Sequence, residues 1–241
     1  MGGDQAEMGN LVSGNAEEGV FLEVDSENTI IDHNQVGLNS AGAPLGNGAS
    51  GIVLGANVTG TEVFSNTIGA NGANGVQVED VRNPIRFNQI YLNGELGIDL
   101  NNDGVTHNDL GDADTGGNDA QNFPMIFAAD PVSGTITFTL SSTPSRPFMV
   151  DFYRSPQCDS LDGHGEGAEY LGERPVITNA SGIFAGQASI SGFSDGDVLT
   201  ATATNQNDNT SEFSRCFTVV APNPPVFNPT HVLFLPSMLK R

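Results

Sequence analysis

Lysine and arginine together occur only eight times in 241 residues, against 29 Asp and Glu, which gives a formal charge of −21 at pH 7. A field of that sign repels nucleic acid and anionic lipid, so a nucleic-acid partner is excluded, while metal cations are drawn in. No apolar run approaches the roughly 18–20 residues that cross a bilayer, so the chain is not expected to span a membrane. The opening MGGDQAEMGN has no apolar core of the kind that marks a signal peptide, and any export address is expected outside this sequence. Cysteine occurs twice, at 158 and 216, and neither stands in a CxxC, which argues against a thiolate metal site. Tryptophan is absent. Disorder is the remaining class that charge and abundant glycine suggest, but 37% hydrophobic residues in short regular runs indicate a folded chain.

What is present is a period. NLVSGN (10–15), NQVGLN (34–39), NTIGAN (66–71) and NQIYLN (88–93) start at intervals of 24, 32 and 22 residues, with an insertion near SAGAPLGNGA (40–49). A second marker, the Gly of GVFLE, GIVLG, GVQVE and GIDL, recurs at 19, 51, 75 and 97. Self-similarity at this length, with period-2 strands inside each repeat, predicts a coiled β-array. Alignment sorts aliphatic residues into columns: Val12, Val36, Ile68, Ile90; Ile31, Val63, Ile85; and Val20, Ile52, Val76, Ile98. Such columns are the inward stacks that a parallel β-coil requires. The Asn columns Asn10, Asn34, Asn66, Asn88 and Asn15, Asn39, Asn71, Asn93 are then expected at the corners, where Asn tolerates left-handed backbone and stacked amides pair along the axis. Each such bond contributes about 0.5–1.5 kcal/mol net.

The run from GNLVSGN through NTIIDHNQVGLNSAGAPLGNGASGIVLG to NTIGANGANGVQV resembles the right-handed parallel β-helix repeats of bacterial secreted and surface proteins in the pectate-lyase-like superfamily. The resemblance continues through YLNGELGIDLNNDGVTHNDLGDADTGGNDAQNFP (91–124) and SPQC…GEG…YLG…ATATNQNDNTSEFSRCF (155–217), which resemble the junction and trailing β-domain of such proteins. It implies an all-β chain: a short right-handed helix of about four coils at 1–104, an Asp/Gly-rich junction at 105–125, an Ig-like antiparallel β-sandwich at 126–220, and a Pro-rich linker and tail at 221–241. Five alternating runs between GTITFTL (134–140) and EFSRCFTVV (212–220) fit the sandwich independently. The chain starts in mid-repeat, so either a longer helix precedes it or a partner covers the open end; self-association through that end is the corresponding expectation.

Location follows from the resemblance: extracellular or on a bacterial cell surface. Cys158 and Cys216 could be free buried thiols, but an exported β-sandwich favours a disulfide between them. The tail HVLFLPSMLKR (231–241) resembles surface-protein sorting tails, and a frayed terminus is the alternative.

Chemistry has thin support. A uronate lyase needs a cation and a base, usually Arg or Lys, on the outer face of a strand groove; an inverting hydrolase needs two carboxyls about 6.5–9.5 Å apart. The outward columns after each repeat Gly read Phe21, Val53, Gln77, Asp99 and Glu23, Gly55, Glu79, Asn101, with no basic residue. Arg82 and Arg86 are the only basic residues in the coils, and they are expected in salt bridges or solvent. Glu79 and Asp99 could sit on adjacent rungs about 5 Å apart. His33 lies in a turn, and Asp162, His164 and Glu166 alternate in a Gly-rich loop that could ligate a metal.

The strongest chemical signal is DLNNDGVTHNDLGDADTGGND (99–119), with six aspartates and no Lys or Arg. Asp99, Asn101, Asp103 and Gly104 match the opening of a calcium loop, but position twelve is Leu110 rather than Glu, so Asp109, Asp112 or Asp114 would have to close the shell. Calcium and a solvated turn-rich junction both remain open. The expected function is a non-catalytic structural or adhesion protein whose partner is a polysaccharide or cell-surface component; the alternative is a carbohydrate-active fragment, lyase-like or hydrolase-like, or a polysaccharide-binding module.

Overall fold

The computed structural model describes residues 1–3, 5–158 and 163–220; the tail expected at 221–241 lies outside the described residues. The chain is all-β, a parallel β-helix followed by an antiparallel β-sandwich. The first coil holds β1 (Leu11–Val12), β2 (Val20–Leu22) and β3 (Ile30–Asp32), and the second β4 (Gln35–Val36), β5 (Ile52–Leu54) and β6 (Glu62–Phe64). The third holds β7 (Thr67–Gly69), β8 (Val76–Val78) and β9 (Ile85–Arg86), and β10 (Gln89–Tyr91) and β11 (Ile98–Leu100) begin a fourth. Every third strand pairs in parallel, which makes three sheets: β1-β4-β7-β10, β2-β5-β8-β11 and β3-β6-β9.

Register places like on like. Val36, Ile68 and Ile90 stack, as do Ile52, Val76 and Ile98, Leu54, Val78 and Leu100, and Ile31, Val63 and Ile85. All are buried in one core. In the first coil Ile31 is buried but the inward Val12, Val20 and Leu22 are only partly so, and the exposed Leu11 and Ile30 stand in the outward columns of Gln35 and Glu62.

Two amide ladders run along the axis. Asn10 donates from its backbone N and its Nδ2 to Asn34 Oδ1, Asn34 does the same to Asn66, and Asn66 to Asn88. The second ladder is Asn15, Asn47, Asn71 and Asn93. Asn39, expected in it, is elsewhere: its Oδ1 accepts from the amides of Ala41 and Ala43 in an exposed turn. The reason is the insertion, which leaves the coil after Leu38 as a loop and returns at Asn47, so the corner position passes to the later Asn. A second correction concerns the backbone. The left-handed residues are those just before the ladder positions, His33, Ser65, Ala70, Phe87 and Leu92, with φ of 56°, 56°, 59°, 61° and 57°, and no ladder Asn has positive φ. The corner turns on the preceding residue because the Asn must keep an extended backbone to donate both N–H groups forward.

The sandwich has β12 (Met125–Asp130), β13 (Thr135–Ser141), β14 (Pro147–Ser155), β15 (Glu169–Ile177), β16 (Ile183–Ser189), β17 (Val198–Asn205) and β18 (Phe217–Thr218). They form sheets ordered β12-β13-β16 and β15-β14-β17-β18. Alternation in β13 buries Ile136, Phe138 and Leu140 against Val150, Phe152, Leu199 and Ala201. Cys158 and Cys216 form a disulfide.

The sandwich packs directly on the last coil. Its Tyr153 and Phe213 belong to the core of the helix, stacked edge to face at 5.2 Å. Arg86 of β9 meets Asp151 of β14 in a two-point ion pair at 2.7 and 2.8 Å and reaches Glu173 of β15 at 2.7 Å.

The ladder assignment is testable by urea denaturation of single variants. Asn47→Ala removes a buried amide that accepts twice from Asn15 and donates to Asn71, and is expected to cost about 2–4 kcal/mol, whereas Asn39→Ala loses only an exposed turn and should cost less than about 1 kcal/mol.

Candidate metal centre

The acidic junction folds into two separate places. Asp99, on β11, is buried, and its oxygens accept from Asn74 Nδ2 at 3.0 Å and the Asp103 amide at 3.3 Å. Asn101 has φ of 72°, and its Oδ1 accepts from the Gly117 amide at 2.6 Å. The calcium-loop opening Asp99, Asn101, Asp103 is therefore spent on a turn and does not converge with the downstream aspartates. Burial raises the Asp99 pKa above the usual carboxylate range.

Asp109, Asp112 and Asp114 do converge: each offers a carboxylate oxygen, and these lie within 4.8 Å of one another. The loop is pinned from outside. Asn108 exchanges two hydrogen bonds with the Phe123 backbone, and Asn122 exchanges two with the Asp109 backbone. Within the loop, Asp109 accepts from the Ala113 amide, and Asp112 accepts from the Asn122 amide at 2.8 Å and from the Ser142 hydroxyl. Burial, with smaller contributions from Asp114 and Asp109, pushes the Asp112 pKa up to about 6. Asp114 is raised by burial and by Asp109. Three hard oxygen donors gathered this closely, with the Asp112 and Asp114 carboxyls held above the usual range, form a set that calcium or magnesium would relieve.

Other sequence candidates have structural partners. His33 Nδ1 lies 2.7 Å from Asp32 and 3.0 Å from the Gly3 carbonyl. Glu79 accepts from Gln77 at 2.9 Å, and Gln77 is the residue in register with Asp99, so Glu79 and Asp99 are not joined as a pair. Asp162 lies outside the described residues, while His164 and Glu166 are buried at the end of the coil. Gly192–Gly196 spells G-x-S-x-G, but it is a turn leading into β17 in which the Ser194 amide donates to Asp197, not a strand-to-helix elbow.

Sequence reasoning misses a second polar assembly, the one that closes the β-helix. The run Asn209–Ser214 is buried throughout, at 0–3% exposure, between β17 and the last coil. Its Asn209 Oδ1 accepts from the Arg82 amide, Thr210 Oγ1 from the Ile85 amide, and Glu212 from the Leu100 and Thr106 amides. On its other side, Ser211 and Ser214 accept from the amides of Ala203 and Ala201. Beside it, Gly167 exchanges backbone bonds with Ile90, and Glu166 Oε1 accepts from both the amide and Nδ2 of Asn93, where the next ladder Asn would stand. Asn118 likewise extends a third short series, accepting from the Asn83 amide as Asn83 accepts from Thr61. The available signal is NTSEFS, a polar run without period between two strand patterns.

No family model matches the chain.

Burial, with Asp99 adding to it, raises the Glu212 pKa to about 8 against the opposing Leu100 and Thr106 amides. Between about pH 4.5 and 8 the folded state then holds a proton that the unfolded chain has released, so this group's contribution to stability falls as pH rises through that window. Asp112 acts in the same sense at lower pH. Glu212→Gln is expected to flatten the decline between pH 6 and 8 by up to about 1.4 kcal/mol per pH unit, measured by urea denaturation across pH.

Proposed function

We propose that the protein is a non-catalytic extracellular or cell-surface element of bacterial type. In this reading a β-helix stalk of the pectate-lyase-like kind is closed by an Ig-like module and serves adhesion, matrix attachment or display. Calcium held by Asp109, Asp112 and Asp114 stiffens the junction. The observation that carries the reading is the commitment of polar groups at the coil end to closure. Arg86, one of two basic residues in the coils, is consumed by Asp151 and Glu173, and the buried acids Glu166 and Glu212 accept from coil amides. A base for uronate elimination would need to be free at the outer face. The disulfide fits an oxidising compartment, and no helix among the described residues is long and apolar enough to cross a membrane. The partly buried inward residues Val12, Val20 and Leu22 of the first coil supply the surface for self-association.

A second reading, polysaccharide binding, draws on a groove of about 660 Å³ between helix and sandwich. Phe64, Phe148 and Phe184 offer faces for sugar rings there, and Arg174 lies at its wall.

The test combines calcium titration with assays on acidic polysaccharides. Calcium is expected to raise Tm by several degrees in the parent and not in Asp112→Asn, as a ligand bound only to the folded state does. No uronate product should appear with or without calcium. Product formation that is lost in Glu79→Gln or Asp99→Asn sinks the structural reading.

A further inference from the structure

The two segments that close the coil end are tied to each other by the disulfide. Gly163–Gly167 carries the partners of β10 and Asn93, and Asn209–Ser214 carries those of β9 and β11. Between the segments run an antiparallel bridge from His164 to Arg215 and backbone bonds from Cys216 to Gly163 at 2.9 Å and from Gly165 to Ser214 at 3.3 Å. Cys216, which follows Arg215, is bonded covalently to Cys158, five residues before Gly163 in the chain. The second segment is also held along β17 through Ser211 and Ser214. The first is held to the sheet at its Glu166 end, by Thr200 and Ser155 donating to the Glu166 carbonyl and the Ala168 amide donating to Ser155, while its Gly163 end accepts from the amide of Cys216 itself.

Access to the bond is uneven. Cys158 is exposed and Cys216 half-buried, whereas Glu166 and Phe213 beside them are buried. Exposed disulfides are the ones that exchange readily, while purely structural ones are commonly shielded.

We infer that the Cys158–Cys216 bond is a redox-operated latch on the lid that covers the last coil. A dithiol supplies the two electrons. Its thiolate attacks Cys158 Sγ, breaks the S–S bond and expels the Cys216 thiolate. Its second thiol then displaces the mixed disulfide, leaving the dithiol oxidised to a cyclic disulfide and both cysteines as thiols that carry the two protons. With the covalent link gone, Gly163–Gly167 lifts from β10. This uncovers the Ile90 edge and the donor end of the second Asn ladder at Asn93, a template on which another coil's amides and strands could stack.

The experiment is residue-resolved hydrogen exchange on the full chain, oxidised and after treatment with dithiothreitol, with far-UV circular dichroism confirming that the fold persists. The Ile90 and Asn93 amides are expected to exchange about tenfold faster or more on reduction, while Val63 and Val76, bonded to neighbouring coils, keep their rates. Cys158→Ser/Cys216→Ser should reproduce the pattern without reductant; if that variant does not fold, the reduced parent alone decides. Equal acceleration at all four amides means that the bond stabilises the whole domain, and no change at Ile90 and Asn93 means that the lid stays closed without it. Either result overturns the latch.

Discussion

A coil laid on a coil passes its hydrogen-bonding obligations to the next. Each ladder Asn sends a backbone N–H and a side-chain N–H forward to one amide oxygen, so every rung is satisfied only if another acceptor follows at the same place. Leaving such donors buried and unpaired costs about 1–3 kcal/mol each, more than a typical made bond contributes. The series must therefore be ended by something that supplies acceptors in the same geometry. An acidic side chain is well suited, because its oxygens can accept more than one N–H group, as Glu166 does from the amide and Nδ2 of Asn93 and Glu212 from the amides of Leu100 and Thr106.

This requirement explains why the sandwich lies against the helix rather than apart from it. Tyr153 and Phe213 supply the apolar plug over Ile90 and Leu100, but aromatic rings cannot accept the amides of Ile85 and Leu100. The polar run 209–214 does so while its other edge bonds to β17, and for that reason β17 is buried on both faces although a strand of a sandwich is ordinarily wet on one. The ion pair of Arg86 with Asp151 has a narrower role. Buried charge pairs add little net stability, yet losing one partner is severe, so the pair enforces one docking orientation.

The coils were legible because the core is written as columns of aliphatic residues at a fixed interval, and Val36, Ile68 and Ile90 do stack. Asn39 misled because the local spelling NQVGLN matches the other corners, while the loop that displaces it is recognisable only once Asn47 is seen over Asn71. In the acidic junction, composition announced a concentration of carboxylates but not which would meet. That depends on the turn at Asn101 and the clamp by Asn108 and Asn122, set by partners ten or more residues away. Asn209–Ser214 was the least legible. From Glu212 on it reads as the start of the alternating strand expected at 212–220, whereas only Phe217–Thr218 pairs as β18, and the burial of the run follows only from two structured surfaces closing on it.

The two ends of the helix are consequently unequal, and the inequality is itself a statement about local stability. Beside the sandwich the inward residues Ile85, Ile90, Ile98 and Leu100 are at most 2% exposed, whereas the inward Val12, Val20 and Leu22 of the first coil are only partly buried. In a stacked array each unit is stabilised chiefly by its neighbours, so opening starts where a neighbour is missing and proceeds inward. The last coil is covered on both sides, by the coil before it and by the sandwich, the latter through one apolar contact and one polar. The buried acids are therefore retained there despite their desolvation cost, because they deny the array an opening point at its sandwich end.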